Sequence, residues 1–305
     1  MSFAHEVKKE LTRSTDNDRT RLLSECYGML LFSRKFSCSE IGLKTESICV
    51  AERYIDLLST FFSPVIEKQS TLKASKNFIN LHSVSVVLPE ECNKIYSYFG
   101  HSDKSTSLRL NRANIEDDMC RSAFLRGAFL SCGYINDPEK NYHLEFCAQY
   151  KNLCNDLCTL LSEVEECRLS PKTVLRNGSY VVYFKDSEQI MDLLTYMGAP
   201  LSSMDIMNTK AYKEVRNMTN RRINSELANI AKTASAAAKQ LAAIDKLDNT
   251  IGLSSLPEQL REIAYLRRDN PELSLRDLGE LLSPPISRSG VNHRLMKLVA
   301  LAELE

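Results

Sequence analysis

The chain has 305 residues, 43% apolar and 26% charged, the balance of a folded globular protein and too long for one average domain. Its formal net charge is zero, which excludes a protein that coats nucleic acid through bulk charge. No stretch approaches the roughly 18 apolar residues of a membrane span.

The opening Ser2-Phe-Ala-His-Glu-Val-Lys-Lys-Glu-Leu11 is charged and amphipathic, unlike a signal peptide, so a cytoplasmic protein with no membrane partner is expected. All ten cysteines lie between Cys26 and Cys167, and that compartment keeps thiols reduced. Cys154 and Cys158 stand i, i+4 on a helical stretch, a spacing that suits a shared metal, but no second Cys/His pair accompanies them. Core thiols are the simpler reading, and neither a metal nor a cofactor is expected.

The first two hundred residues carry an internal repeat. Glu25-Cys-Tyr-Gly28-Met-Leu-Leu-Phe-Ser33-Arg34-Lys-Phe36 aligns without gaps, 99 residues on, with Phe124-Leu-Arg-Gly127-Ala-Phe-Leu-Ser-Cys132-Gly133-Tyr-Ile135. Alternating strand-like stretches follow at Ile41–Thr45 and Tyr142–Phe146, then amphipathic helices around Ala51–Leu58 and Cys154–Leu161. A second strand pattern recurs at Val84–Leu88 and Val181–Lys185, and each copy closes on Tyr98-Phe-Gly100 or Tyr196-Met-Gly198. The common order predicts an α+β fold of two pseudo-symmetric αββαββα halves, 1–100 and 101–204.

That order, with a glycine at one place in both opening helices, resembles the LAGLIDADG homing endonucleases. Gly127-Ala-Phe-Leu-Ser-Cys132-Gly133 matches the motif core, with its glycines six apart. The resemblance implies opening helices that pack backbone to backbone, and divalent metals held by an acid immediately before the final glycine of each motif. Ser33 and Cys132 stand at those acid positions, Arg34 replaces the final glycine of the first copy, and Asp137 falls past the helix end. Mg²⁺ requires anionic oxygen, so a retained fold without catalytic metals or catalytic residues is expected.

From Asp205 the pattern changes. Ile223, Leu227, Ile230, Ala234, Ala237, Leu241, Ile244 and Leu247 recur at three and four, predicting one long helix over Asn208–Leu247 within a linker at 205–250. Arg216, Asn220, Arg221 and Arg222 concentrate amide and guanidinium groups on poor helix-forming ground. They suit phosphate and base contacts; a solvated face, or docking of the helix on the repeat domain, is the alternative.

Residues 251–305 predict three helices. Ser255-Leu-Pro-Glu258 reads as a capping box opening the first, which stops at Asp269-Asn-Pro271. Ser274 caps the second, Leu275–Leu282, with Asp277 as its acidic partner. Ser283-Pro-Pro-Ile286 is the turn, and Ser287 caps Arg288–Leu304, whose apolar stripe is Val291, Leu295, Leu298 and Val299. This is the helix-turn-helix arrangement. Arg288, Ser289, Asn292, His293, Arg294 and Lys297 leave that stripe free to face phosphate and base edges, and no acid lies between Ser283 and Ala300.

Disabled repeat motifs, a long helix and Ser274-Leu-Arg-Asp-Leu-Gly-Glu-Leu-Leu-Ser-Pro-Pro-Ile-Ser-Arg-Ser-Gly-Val-Asn-His-Arg-Leu-Met-Lys-Leu298 together resemble the WhiA family over essentially the whole chain. The resemblance implies a nucleoid-associated regulator of cell division, chromosome segregation or sporulation. Its partner would be double-stranded DNA, joined by other transcription regulators or RNA polymerase components. A division scaffold with secondary DNA binding is the alternative, and an active endonuclease a more distant one. Internal pseudo-symmetry makes dimerisation unnecessary, so a monomer suffices.

Overall fold

A computed structural model describes residues 2–14, 16–73, 79–102 and 107–304. The chain divides into two compact units, residues 1–213 and 214–305.

In the first unit, α1 (Phe3–Thr12) precedes two halves of identical order. The first runs α2 (Arg19–Leu31), β1 (Lys35–Phe36), β2 (Ile41–Thr45), α3 (Ile48–Phe61), β3 (Ile66–Lys73), β4 (Ile79–Val86) and α4 (Pro89–Tyr98). The second runs α5 (Asp118–Cys132), β5 (Gly133–Ile135), β6 (Leu144–Ala148), α6 (Lys151–Ser162), β7 (Lys172–Arg176), β8 (Ser179–Phe184) and α7 (Ser187–Met197). Each half forms an antiparallel four-stranded sheet, ordered β1-β2-β4-β3 and β5-β6-β8-β7. The αββαββα expectation holds, with α1 added before the repeat.

Both opening helices start on aspartates that are again 99 residues apart. Asp18 accepts from the backbone N–H of Thr20 and Arg21, and Asp117 from that of Cys120. Such caps satisfy amides that a helix start leaves orphaned. Residues 24–31 of α2 and 122–130 of α5 are buried without a break, so these helices bury every face and show no amphipathic period. The β7–β8 hairpin turns on Asn177 (φ 51°) and Gly178 (φ 78°), the left-handed pair that a two-residue hairpin loop needs.

One continuous core joins the two halves, with Tyr27 stacked on Phe99 and tilted against Phe124. Glu25, wholly buried on α2, crosses it. Its carboxylate accepts two hydrogen bonds of 2.8 Å from Arg53 on α3 and one of 3.1 Å from Arg126 on α5. The two guanidinium groups, one from each half, supply the donors and charge that a buried carboxylate requires.

Helix α8 spans Pro200–Thr250, starting eight residues before the expected Asn208. The reason is a tertiary cap: the Glu10 carboxylate on α1 accepts from the backbone N–H of Leu201 (2.7 Å) and Ser202 (2.9 Å). Local periodicity carries no trace of a cap supplied from 191 residues away.

The second unit comprises the rest of α8 with α9 (Glu258–Asp269), α10 (Leu275–Glu280) and α11 (Arg288–Leu304). Ile244, Leu247, Leu260, Ile263, Leu278, Val291, Leu295 and Leu298 form its core. The expected capping box at Ser255 does not form, because the Ser255 hydroxyl instead donates to the carbonyls of Ile251 (2.9 Å) and Gly252 (2.7 Å). Pro257 stands at the N-cap of α9 with no side-chain cap.

Among the described residues, no helix is long and apolar enough to cross a membrane.

Candidate nucleic-acid interface

The α10–turn–α11 segment is built by local chemistry. Ser274 and Asp277 form the reciprocal capping box at the start of α10. The turn folds back so that the Ile286 N–H donates to the Gly279 carbonyl at 3.0 Å. A Cβ on Gly279 would overlap the Ile286 carbonyl oxygen, so this close backbone approach requires glycine. The Ser287 hydroxyl accepts from Gly290 N–H at 3.3 Å and starts α11. Buried Val291, Leu295, Leu298 and Ala302 then seat it on the core, while the expected Val299 is only partly buried. Two longer-range bonds fix the platform. Lys246 Nζ donates to the Ala302 carbonyl at 2.8 Å, and buried Arg267 donates to Gln240 Oε1 (3.0 Å) and the Leu273 carbonyl (2.7 Å).

What α11 leaves outward is the candidate surface. Arg288, Ser289, Asn292, His293 and Lys297 are exposed and Arg294 is half-buried. Among the described residues none of the six makes a hydrogen bond or ion pair within the protein, so every donor is available. No acid occurs between Glu280 and Glu303. With about 3.6 residues per turn, Arg288 falls at one edge of the exposed arc. Arg294 falls at the other. Ser289 and His293 occupy the centre, with Met296 and then Asn292 toward the Arg288 side and Lys297 toward the Arg294 side. Met296, 55% exposed, was missed by sequence reasoning; its spacing of four from Asn292 and its place off the buried seam were the available signals.

The four expected α8 residues do not form one patch. All are exposed, but Arg222 is committed to an i, i+4 pair with Glu226 at 3.0 Å. Arg216 lies seven residues before Ile223, on the stripe that continues through exposed Leu227 and Ile230. Asn220 borders that stripe, whereas Arg221 points from the opposite side, with Asn217 and Asn224 as neighbours.

In the first unit the opening helices cross at their glycines. A Cβ on Gly28 would overlap the Phe124 carbonyl oxygen, and one on Gly127 the Glu25 carbonyl oxygen, reciprocal contacts that let the backbones touch. At the first degenerate position, the buried Ser33 hydroxyl donates to the carbonyls of Leu30 (2.7 Å) and Lys35 (3.0 Å). At the second, burial pushes the Cys132 thiol up to about 12, so it stays protonated. Near it Lys8 reaches from α1 to donate to the Leu130 carbonyl at 3.2 Å, and burial pushes that ammonium down to about 8. Asp137 lies in the β5–β6 loop, where its carboxylate accepts from the Glu139 N–H at 2.9 Å. A cation beside a neutral thiol and a committed hydroxyl suits no divalent metal. Burial also pushes the Cys154 thiol up to about 11 and that of Cys158 above its ordinary value.

Two family models match the chain: the WhiA LAGLIDADG-like domain over residues 121–216 and the WhiA C-terminal HTH domain over residues 219–302. The chain is 38% identical to the probable cell division protein WhiA of Lachnoclostridium phytofermentans over 99% of both chains. It is 35% identical to that of Clostridium botulinum over 99% of this chain and 98% of the relative. Its fold is similar to the crystal structure of full-length DUF199/WhiA from Thermatoga maritima, with a TM-score of 0.59 and 24% identity over 99% of this chain and 98% of that one.

Proposed function

The chain belongs to the WhiA family, with a helix-turn-helix domain and a degenerate LAGLIDADG-like domain, and from that premise we propose that it is a sequence-specific regulator that binds double-stranded DNA through α11. One observation carries the reading: six hydrogen-bonding side chains around the outward arc of one helix, without internal partners and without an acid nearby in sequence. Asn292 suits adenine, and the flanking cations suit the two phosphate strands of a major groove. The curated relatives are named as cell division proteins, so cell division is the process it serves, with chromosome segregation and sporulation as its finer aspects. Acting there, it is a cytoplasmic, nucleoid-associated protein. Other transcription regulators or RNA polymerase components are its protein partners. The LAGLIDADG-like unit is a non-catalytic platform, because its two motif positions offer a hydroxyl and a thiol, with the Lys8 ammonium beside the thiol, in place of two carboxylates.

The test is DNA affinity of the full chain as a function of salt. Arg294→Ala and Lys297→Ala should each cost about 1 kcal/mol, and each lost phosphate contact should flatten the salt slope by about one. Unchanged affinity and slope in the double variant would sink the assignment of α11. Exposed Val215, Met218, Leu227 and Ile230 on α8 favour a second reading, a division scaffold held by protein contacts. A double variant that loses DNA binding but retains its effect on division selects that reading.

A further inference from the structure

The proposal above leaves open which bases α11 reads. The arrangement of its outward arc narrows that choice. Cationic side chains stand at the two edges, Arg288 on one and Arg294 on the other, with Lys297 between Arg294 and the centre, all without internal partners. The middle holds Ser289 and His293, and beside them toward the Arg288 edge one large apolar side chain, Met296, at 55% exposure, with Asn292 beyond it. A helix laid in a major groove presents its middle to the base edges and its flanks to the two phosphate strands. The groove is roughly 12 Å wide, close to the diameter of a helix with its side chains, so the residues central to the arc are the ones pressed on the bases.

A methionine there has no hydrogen bond to offer. Of the features that base pairs display in the major groove, the thymine C5 methyl is the apolar one. Met296 follows Asn292 by one turn on the same side of the arc, so an adenine under the amide and a thymine under the thioether lie within adjoining steps. The thioether is unbranched and polarisable and adapts to such a contact without a fixed shape. Leu295 and Leu298, its apolar neighbours in sequence, are buried in the core and unavailable for this role.

Resting on the DNA-binding reading, we propose that Met296 is a specificity-determining residue that recognises thymine through its C5 methyl, next to an adenine read by Asn292. This contact is apolar and therefore independent of salt, unlike those of the flanking cations.

The test uses the full-length chain. Duplexes are selected from a random pool, and in a selected duplex each thymine is replaced singly by deoxyuridine, which removes only the methyl. At one position the replacement should weaken binding by about three- to fivefold, the effect of burying one methyl. Met296→Ala should bind the parent duplex more weakly by a similar factor and be indifferent to deoxyuridine at that position. Because Met296 is exposed, its melting temperature should match the parent chain. Indifference of the parent chain to every replacement overturns the proposal, as does an unchanged deoxyuridine penalty in Met296→Ala. Retention of no duplex from the pool overturns the DNA-binding reading itself, and the proposal with it.

Discussion

Gly127→Ala tests the seam between the two halves, and its sign follows from the geometry. In an exposed helix interior the change should stabilise, because alanine loses less backbone entropy, by about 1 kcal/mol. At Gly127 the added Cβ would overlap the Glu25 carbonyl oxygen and sit 3.0 Å from the Met29 amide nitrogen. Both obstacles are backbone, so no rotamer change relieves them. The helices must separate by about 1 Å, and a gap of that order forfeits a quarter to a half of each dispersion contact it opens. Overpacking of this kind costs about 3 kcal/mol, which outweighs the propensity gain and leaves a net loss of about 2 kcal/mol. For a unit of this size that lowers Tm by about 4–8 °C. Gly290→Ala is the matched control. Its Cβ would meet only the Ile286 side chain, at 3.4–3.7 Å, and the variant should gain up to about 1 kcal/mol in the second unit. Differential scanning calorimetry of the full chain measures both. A Gly127→Ala chain as stable as the parent, or more stable, would refute the reasoning.

Three further outcomes are expected. If α8 touches phosphate, Arg221→Ala should weaken DNA binding by about 1 kcal/mol, and Arg222→Ala, already paired with Glu226, by less. Neither should shift Tm, and equal losses measured by fluorescence anisotropy would contradict the commitment of Arg222 to Glu226. Magnesium should support no cleavage of plasmid or bound duplex, since neither motif position supplies an anionic ligand; nicking that disappears in Ser33→Ala or Cys132→Ala would move the protein among the enzymes. Lys8 titrates near 8 in the fold against 10.5 in the unfolded chain. Between those values the unfolded chain holds one more proton at Lys8, so the stability of the parent relative to Lys8→Met should rise with pH across that window. Urea titrations under reducing conditions with equal slopes for the two chains would show that Lys8 is not held in that burial.

The order of elements was legible in the residues themselves. Two glycines 99 residues apart and alternating strands are local signals, because helix contacts and pleats follow the periodicity of nearby residues. The same holds for α10 and α11, whose capping box and apolar seam predicted a helix-turn-helix and most of its outward residues. Ser255 marks the limit of such signals: its motif is correct, but its hydroxyl is taken by carbonyls that the preceding turn brings closer. Only the tertiary structure decided the rest. The start of α8 depends on Glu10, the pairing of halves on Glu25 between Arg53 and Arg126, and the second motif position on Lys8 beside Cys132. Met296 joined the outward arc of α11 once its own exposure was seen. A carboxylate or an ammonium is promiscuous in sequence, since any donor or acceptor satisfies it. Its partner is chosen by the packing of apolar faces, which brings distant backbone together and leaves one group within hydrogen-bonding reach.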